Sequence, residues 1–266
     1  MRIAVAGGTG RIGGLVVTEL TRRGHEAVSL SRGVGIDLLT GVGLRQRHEG
    51  VDAVIDATNP PVADIAEAEH AFATITRNLL TAETETGVRH HVALSIAALD
   101  AVAGNPHYYG KRAQEREVAA GSVPFTIVRA TQFHDFPAMI AEWTVVDGEA
   151  IVPPLLVQPI APADVAAALV DTALDAPLSA SFDIAGPRTE DAVDMARRTF
   201  TARGTDLPLR ASWQGAALGV EFAGEVLIPA PGTRHVDRVL GPRTAASAPR
   251  ACTCRSRASG PPWPIT

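Results

Sequence analysis

Apolar residues recur along the first half of this chain with two alternating periods. Short runs, Ile3-Ala4-Val5-Ala6 and Ala27-Val28-Ser29-Leu30 first, are separated by stretches in which Ile12, Val16 and Leu20 fall on one helical face. Later, Ile65, Ala68, Phe72, Ile75 and Leu79 mark another helical face, with Glu67, Thr74 and Asn78 turned away from it. The pattern predicts strands at 2–6, 26–31, 51–57, 91–96 and 124–130. It predicts helices from 11 to the Arg22-Arg23 pair before Gly24, from 65 to Gly87, and from 108 to about 120. Strands that alternate with helices in this way form a parallel sheet covered on both faces, a doubly wound α/β architecture. Beyond 150 the pattern loosens into a helix opened by 158–162 with Asp164 in its first turn, a strand at 181–186, and a helix over 189–203 capped by Thr189. Residues 1–150 are thus expected to form the sheet domain and 151–240 a smaller C-terminal α/β lobe. Trp213, Phe222 and Leu227 either fill that lobe's core or line the crevice beneath it.

The first strand runs into Gly7-Gly8-Thr9-Gly10-Arg11-Ile12-Gly13, and a helix follows at once. Glycines in that order allow a sharp turn, close backbone approach to a pyrophosphate and tight packing of helix on sheet. The free N–H groups opening the helix then face the phosphates, so Gly7, Thr9, Gly10, Arg11, Ile12 and Gly13 are read as a dinucleotide cradle in a Rossmann-type sheet. At the end of the second strand stand Ser31 and Arg32, with no carboxylate. A guanidinium there accommodates a 2′-phosphate, which points to NADP over NAD, the alternative being that Arg32 is a solvated loop charge. Asp37, a few residues on, is placed to approach the adenine. Thr58 and Asn59, Ser95, Thr131 and Phe133 all fall at or just beyond the carboxyl ends of strands, where this architecture binds ligands. His90 and His91 point to opposite faces of an extended chain, so a shared metal is not expected and one of the pair is read as solvated.

Composition narrows the field. The 266 residues carry a net charge of −5, are 46% hydrophobic and 20% charged, and show no sustained basic face, so nucleic acid is not an expected partner. No apolar run approaches bilayer length, and the chain enters a strand directly after Met1, so a cytoplasmic protein without membrane attachment is expected. Cys252 and Cys254 form neither a disulfide framework nor, without further ligands nearby, a metal site. Residues 241–266 hold four arginines and five prolines, no acid and no apolar periodicity, and are read as a disordered tail. Gly-x-Ser-x-Gly and His-Glu-x-x-His are both absent, which argues against the hydrolases they mark.

The glycine motif, Leu30-Ser31-Arg32, Leu94-Ser95-Ile96, Tyr108 to Glu115 and Arg129-Ala130-Thr131-Gln132-Phe133-His134 together resemble the atypical short-chain dehydrogenase/reductase proteins, and most closely their NmrA-like group. The resemblance spans residues 1 to about 240. It implies that Ser95 polarises a substrate carbonyl, Tyr108 moves a proton, and Lys111 lowers the tyrosine pKa while holding the nicotinamide ribose. The family spacing is Tyr-x-x-x-Lys, whereas here His107 holds the four-residue position, with Tyr108 three and Tyr109 two residues before Lys111. Residues three apart share a helical face and residues two apart do not, so Tyr108 is preferred. Two functions follow from the resemblance. One is an NADP-dependent oxidoreductase acting on a small carbonyl or quinone-like substrate, and the other a non-catalytic NADP-binding redox sensor that would need a protein partner.

Overall fold

The computed structural model describes residues 1–230 and 232–236. Its centre is a parallel sheet built from β1 (Arg2–Ala6), β2 (Glu26–Leu30), β3 (Ala53–Asp56), β4 (His91–Ile96) and β5 (Phe125–Ala130). The chain then makes β6 (Val145–Val146), β7 (Glu149–Val152) and β8 (Leu156–Val157), which lie outside it. β9 (Ala180–Ala185) returns beside β5, after which come β10 (Glu190–Asp191), β11 (Leu209–Ala211) and β12 (Arg234–His235). The large sheet has the order β12-β9-β5-β4-β3-β1-β2. From β1 the chain winds to β2 on one side and to β3 on the other. The switch point, where open α/β sheets bind ligands, therefore lies at the carboxyl ends of β1 and β3.

Among the described residues, seven α-helices flank these strands: α1 (Arg11–Arg22), α2 (Leu44–His48), α3 (Ile65–Thr86), α4 (Pro106–Ala120), α5 (Phe136–Trp143), α6 (Pro162–Leu174) and α7 (Ala192–Arg203). Alternation along β1 divides the core. Ile3 and Val5 face Ile12, Val16 and Leu20 of α1 and Val165 and Leu169 of α6, while Ala4 and Ala6 face Ile75 and Leu79 of α3. Burial of each large apolar side chain in these layers contributes about 1.5–3 kcal/mol before conformational entropy is counted. The doubly wound sheet expected from the sequence is thus the observed one.

A second core holds the smaller lobe. It joins Ile140 of α5, Val152, Leu155 and Phe200 to Phe222 and Leu227, over the three-stranded sheet β11-β7-β6 and the β10-β8 pair. Phe222 and Leu227 are fully buried core residues, and Trp213 packs partly buried against them. The chain crosses between the two cores repeatedly: α5 to β8 belong to the lobe, α6 and β9 to the large sheet, and α7 to the lobe again.

Three local expectations are corrected. The helix after β9 starts at Ala192, capped by Asp191 through Asp194 N at 2.8 Å, because pairing with β8 holds residues 190–191 extended and leaves Thr189 outside. α4 starts earlier than expected, at Pro106, with Asn105 Oδ1 accepting from the N–H groups of His107 and Tyr108. Neither His90 nor His91 is solvated. His90 meets Thr126 Oγ1 at 2.9 Å, and His91, wholly buried, meets both carboxylate oxygens of Glu83 at 2.8 and 3.0 Å. Glu83 comes from the end of α3, and its charge raises the His91 pKa against the opposing effect of burial. The expected tail at 241–266, including Cys252 and Cys254, lies outside the described residues. No described helix is long and apolar enough to cross a membrane.

Candidate dinucleotide site

The turn after β1 leaves no room for a side chain at Gly7 or Gly13. A Cβ on Gly7, which sits at φ +75°, would stand 2.9 Å from Ala57 O, and one on Gly13 would stand 2.1 Å from Gly7 O. Gly13 therefore lets α1 rest directly on the turn, and Gly7 lets the turn rest on the end of β3 beside Thr58. Gly10 is the N-cap of α1 and offers no side-chain cap, so the N–H groups of Arg11, Ile12 and Gly13 open the helix without one. The Arg11 side chain leans away across the cleft. It pairs with Asp135, reaches Met139 Sδ at 3.6 Å, and lies over the half-buried Phe133 ring at 5.1 Å.

At the end of β2, Ser31 is buried and Arg32 exposed, and Arg32 forms no ion pair with any described residue. A Cβ built on Gly33 would lie 3.7 Å from both Ser31 Oγ and Thr9 Cγ2, so the glycine turn and the β2 end form one wall. Asp37 is exposed and turns its carboxylate to its own loop, accepting from Leu39 N at 2.9 Å. Across the carboxyl ends of the strands lie buried oxygens with no hydrogen-bond partner: Ser31 Oγ, Thr58 Oγ1, Ser95 Oγ, Gln132 Oε1 and Asp135 Oδ1. Orphaned buried polar atoms are destabilising, and a row of them along a ligand-binding edge is the mark of a site built for polar groups of a ligand. Thr131 differs, because its hydroxyl is already used to bond Gln158 O at 2.6 Å. Asn59 is exposed just beyond Thr58.

The side chains implied for proton transfer are held by different neighbours. Tyr108 is buried in the lobe core, edge-on to Phe222 at 5.7 Å. Its pKa is raised, chiefly by burial; a hydrogen bond from Gln132 and the charge of Arg112 act the other way. The Lys111 ammonium has three N–H donors, and all three are used: Leu94 O at 2.8 Å, Gln114 Oε1 at 2.8 Å and Thr58 O at 3.2 Å. Burial lowers its pKa to about 8. The arrangement implied by the family, with the ammonium pulling down the phenol pKa, is therefore not what these side chains display. Gln132 stood within the motif that carries the family resemblance, whereas nothing in the sequence marked Asp56 as part of this region. Gln114 had one signal, since it lies one helical turn after Lys111 on the same face.

His107, which occupies the family's tyrosine position, packs on Phe72 with ring centroids 5.8 Å apart. Burial and the Lys111 charge press its pKa down to about 3. Between pH 6.5 and 3 the unfolded chain therefore binds a proton that the folded one refuses, so stability present above pH 6.5 is lost as pH falls through this window. The slope from this group is at most about 1.4 kcal/mol per pH unit. Urea unfolding of the parent and of His107→Gln at pH 7, 6, 5 and 4 should show a shallower decline in the variant. Parallel declines would mean that His107 does not carry the effect.

A glycine cradle beneath an uncapped helix, at the switch point of a parallel sheet and beside a row of open hydroxyls, defines a dinucleotide-binding α/β protein. Residues 7–176 match the profile of the NAD(P)H-binding family, and the chain belongs to that family. Solved structures of low sequence identity share its fold. Thermus thermophilus UDP-glucose 4-epimerase, solved with NAD, aligns with a TM-score of 0.64 at 16% identity, covering 80% of this chain and 86% of that one. Bacillus cereus UDP-N-acetylglucosamine 4-epimerase aligns at 0.64 and 19%, over 80% and 86%. The Escherichia coli NADPH-dependent quinone oxidoreductase QOR2 with NADPH aligns at 0.61 and 18%, over 79% and 78%. Curated protein sequences gave no match.

Proposed function

We propose that the protein is an NADPH-dependent oxidoreductase of the NmrA-like type whose acceptor is quinone-like. The observation that carries this reading is the contrast within the site: a complete nucleotide cradle stands beside a tyrosine and a lysine that do not act on each other. A carbonyl alcohol forms only if a proton arrives with the hydride, and a buried phenol with a raised pKa is a poor source of one. A quinone accepts hydride to give a stabilised hydroquinone anion, which water then protonates. The likeness to a quinone oxidoreductase supports the same choice.

In this reading the nicotinamide supplies the hydride when the cofactor is bound, and the chain's own residues bind and orient it. Gly7, Thr9, Gly10, Arg11, Ile12 and Gly13 take the pyrophosphate, Ser31 and Arg32 the 2′-phosphate, and Asp37 borders the adenine. Thr58, Asn59 and Ser95 offer polar groups along the middle of the cleft, while Thr131 and Phe133 bound its far side.

The test is absorbance at the nicotinamide band with purified protein, NADPH, and panels of quinones and small carbonyls. Quinone-dependent oxidation is expected, with Tyr108→Phe within about threefold of the parent, because the phenol donates nothing to the rate-limiting step. A Tyr108→Phe loss of about a hundredfold would restore the phenol as proton donor. NADPH binding without oxidation by any acceptor would move the assignment to the sensor.

A further inference from the structure

The geometry points to Lys111, Gln114 and Asp56 as a buried positioning relay that sets the strand ends carrying the Thr58 and Ser95 hydroxyls, with none of the three touching ligand. This inference rests on the cofactor reading above. Asp56 ends β3 and is fully buried. Its Oδ1 accepts from Thr58 N at 2.9 Å, and its Oδ2 accepts from Gln114 Nε2 at 2.7 Å. Gln114, also fully buried, turns its Oε1 to Lys111 Nζ at 2.8 Å. The carboxamide is thereby fixed at both ends, acceptor toward the cation and donor toward the anion, so it links two opposite buried charges that do not meet directly. Lys111 closes the chain by donating to Thr58 O at 3.2 Å and to Leu94 O at 2.8 Å.

Two consequences follow. The Thr58 backbone is gripped on both sides, through N–H by Asp56 and through C=O by Lys111, while its Oγ1 is left without a partner. The same ammonium grips the carbonyl of Leu94, immediately before Ser95, whose Oγ is likewise left open. One cation thus ties β3 to β4 at the ligand-binding edge and presents two free hydroxyls there. Thr58 also lies under Gly7, where a Cβ would approach Thr58 Cα to 3.4 Å, so the relay helps to seat the glycine turn. All three ammonium donors go to protein acceptors. The Phe72 ring, 5.0 Å from Nζ, covers the ammonium further.

The experiment is a double-mutant cycle read by fluorescence titration of NADPH, with melting temperatures measured alongside. Thr58→Val should weaken NADPH about tenfold while raising the melting temperature of the ligand-free protein, because it removes an orphaned hydroxyl. Gln114→Met, which leaves Lys111 in place, should also weaken NADPH about tenfold. The double variant should be no worse than about twentyfold, since both changes act on the same group. If Gln114→Met does not fold, Gln114→Leu, which can neither donate to Asp56 nor accept from Lys111, is read in its place with the same expectation. The relay is overturned if the Gln114 variant binds NADPH within twofold of the parent and only melts lower, or if the two effects multiply to about a hundredfold. It is also overturned if Lys111→Met weakens binding where the Gln114 variant does not, which would place the ammonium on the ligand. A parent protein that binds no NADPH would instead reject the cofactor reading itself, and the relay with it.

Discussion

Gly13→Ala should lower the melting temperature by roughly 5–10 °C and weaken NADPH at least tenfold. The added methyl would stand 2.1 Å from Gly7 O, 2.7 Å from Gly7 C and 2.9 Å from Gly8 Cα. All three are backbone atoms of the turn, so no side chain can swing aside, and α1 has to lift off the sheet. Lifting it loosens Ile12, Val16 and Leu20 from the layer they share with α6. Overpacking of this kind costs about 1–3 kcal/mol, and each kcal/mol in a domain of this size shifts the midpoint by about 2–4 °C. Gly14→Ala is the matched control, because its methyl would meet nothing closer than Gly8 O at 3.9 Å and alanine favours a helix interior. It should leave NADPH affinity unchanged and raise the midpoint slightly. Equal behaviour of the two variants in calorimetry would remove the close-packing account of the cradle.

Arg32→Asp should weaken NADPH by about a hundredfold and NADH by less than about threefold. Arg32 is exposed, carries no ion pair among the described residues, and stands beside the open hydroxyl of Ser31, so a 2′-phosphate would find two unspent groups there. Charge-assisted hydrogen bonds to phosphate are among the strong ones, and reversing the charge replaces attraction by repulsion, which makes a two-decade loss reasonable at about 1.4 kcal/mol per decade. NADH lacks the group concerned and serves as the internal control. Equal affinities of the unmodified protein for the two nucleotides, measured by isothermal calorimetry, would turn Arg32 back into a solvated loop charge.

The parts of this protein legible from sequence are those governed by local rules. Strand and helix periods placed all five first strands and α1, α3 and α6 within a few residues, because each element buries one face and that face has a fixed repeat. The glycines at 7 and 13 marked the tight turn after β1, because a Cβ at either would meet backbone within 3 Å. Helix starts were less legible. Thr189 and Asp191 are both competent caps, and only pairing of Glu190–Asp191 with β8 decided between them.

What the sequence by itself determined is therefore the doubly wound sheet and the glycine turn that opens α1, both encoded in spacings shorter than one helix or one turn. Tertiary structure alone decided the partners of the buried polar groups. Lys111 stands three residues after Tyr108, and spacing alone allows it to serve the phenol. Yet its ammonium meets Thr58 O, Leu94 O and Gln114 Oε1, two of them more than fifteen residues away along the chain. His91 meets Glu83 and Arg11 meets Asp135 in the same manner. A buried charge takes whichever counter-groups the fold brings within about 3 Å, and no local period carries that information.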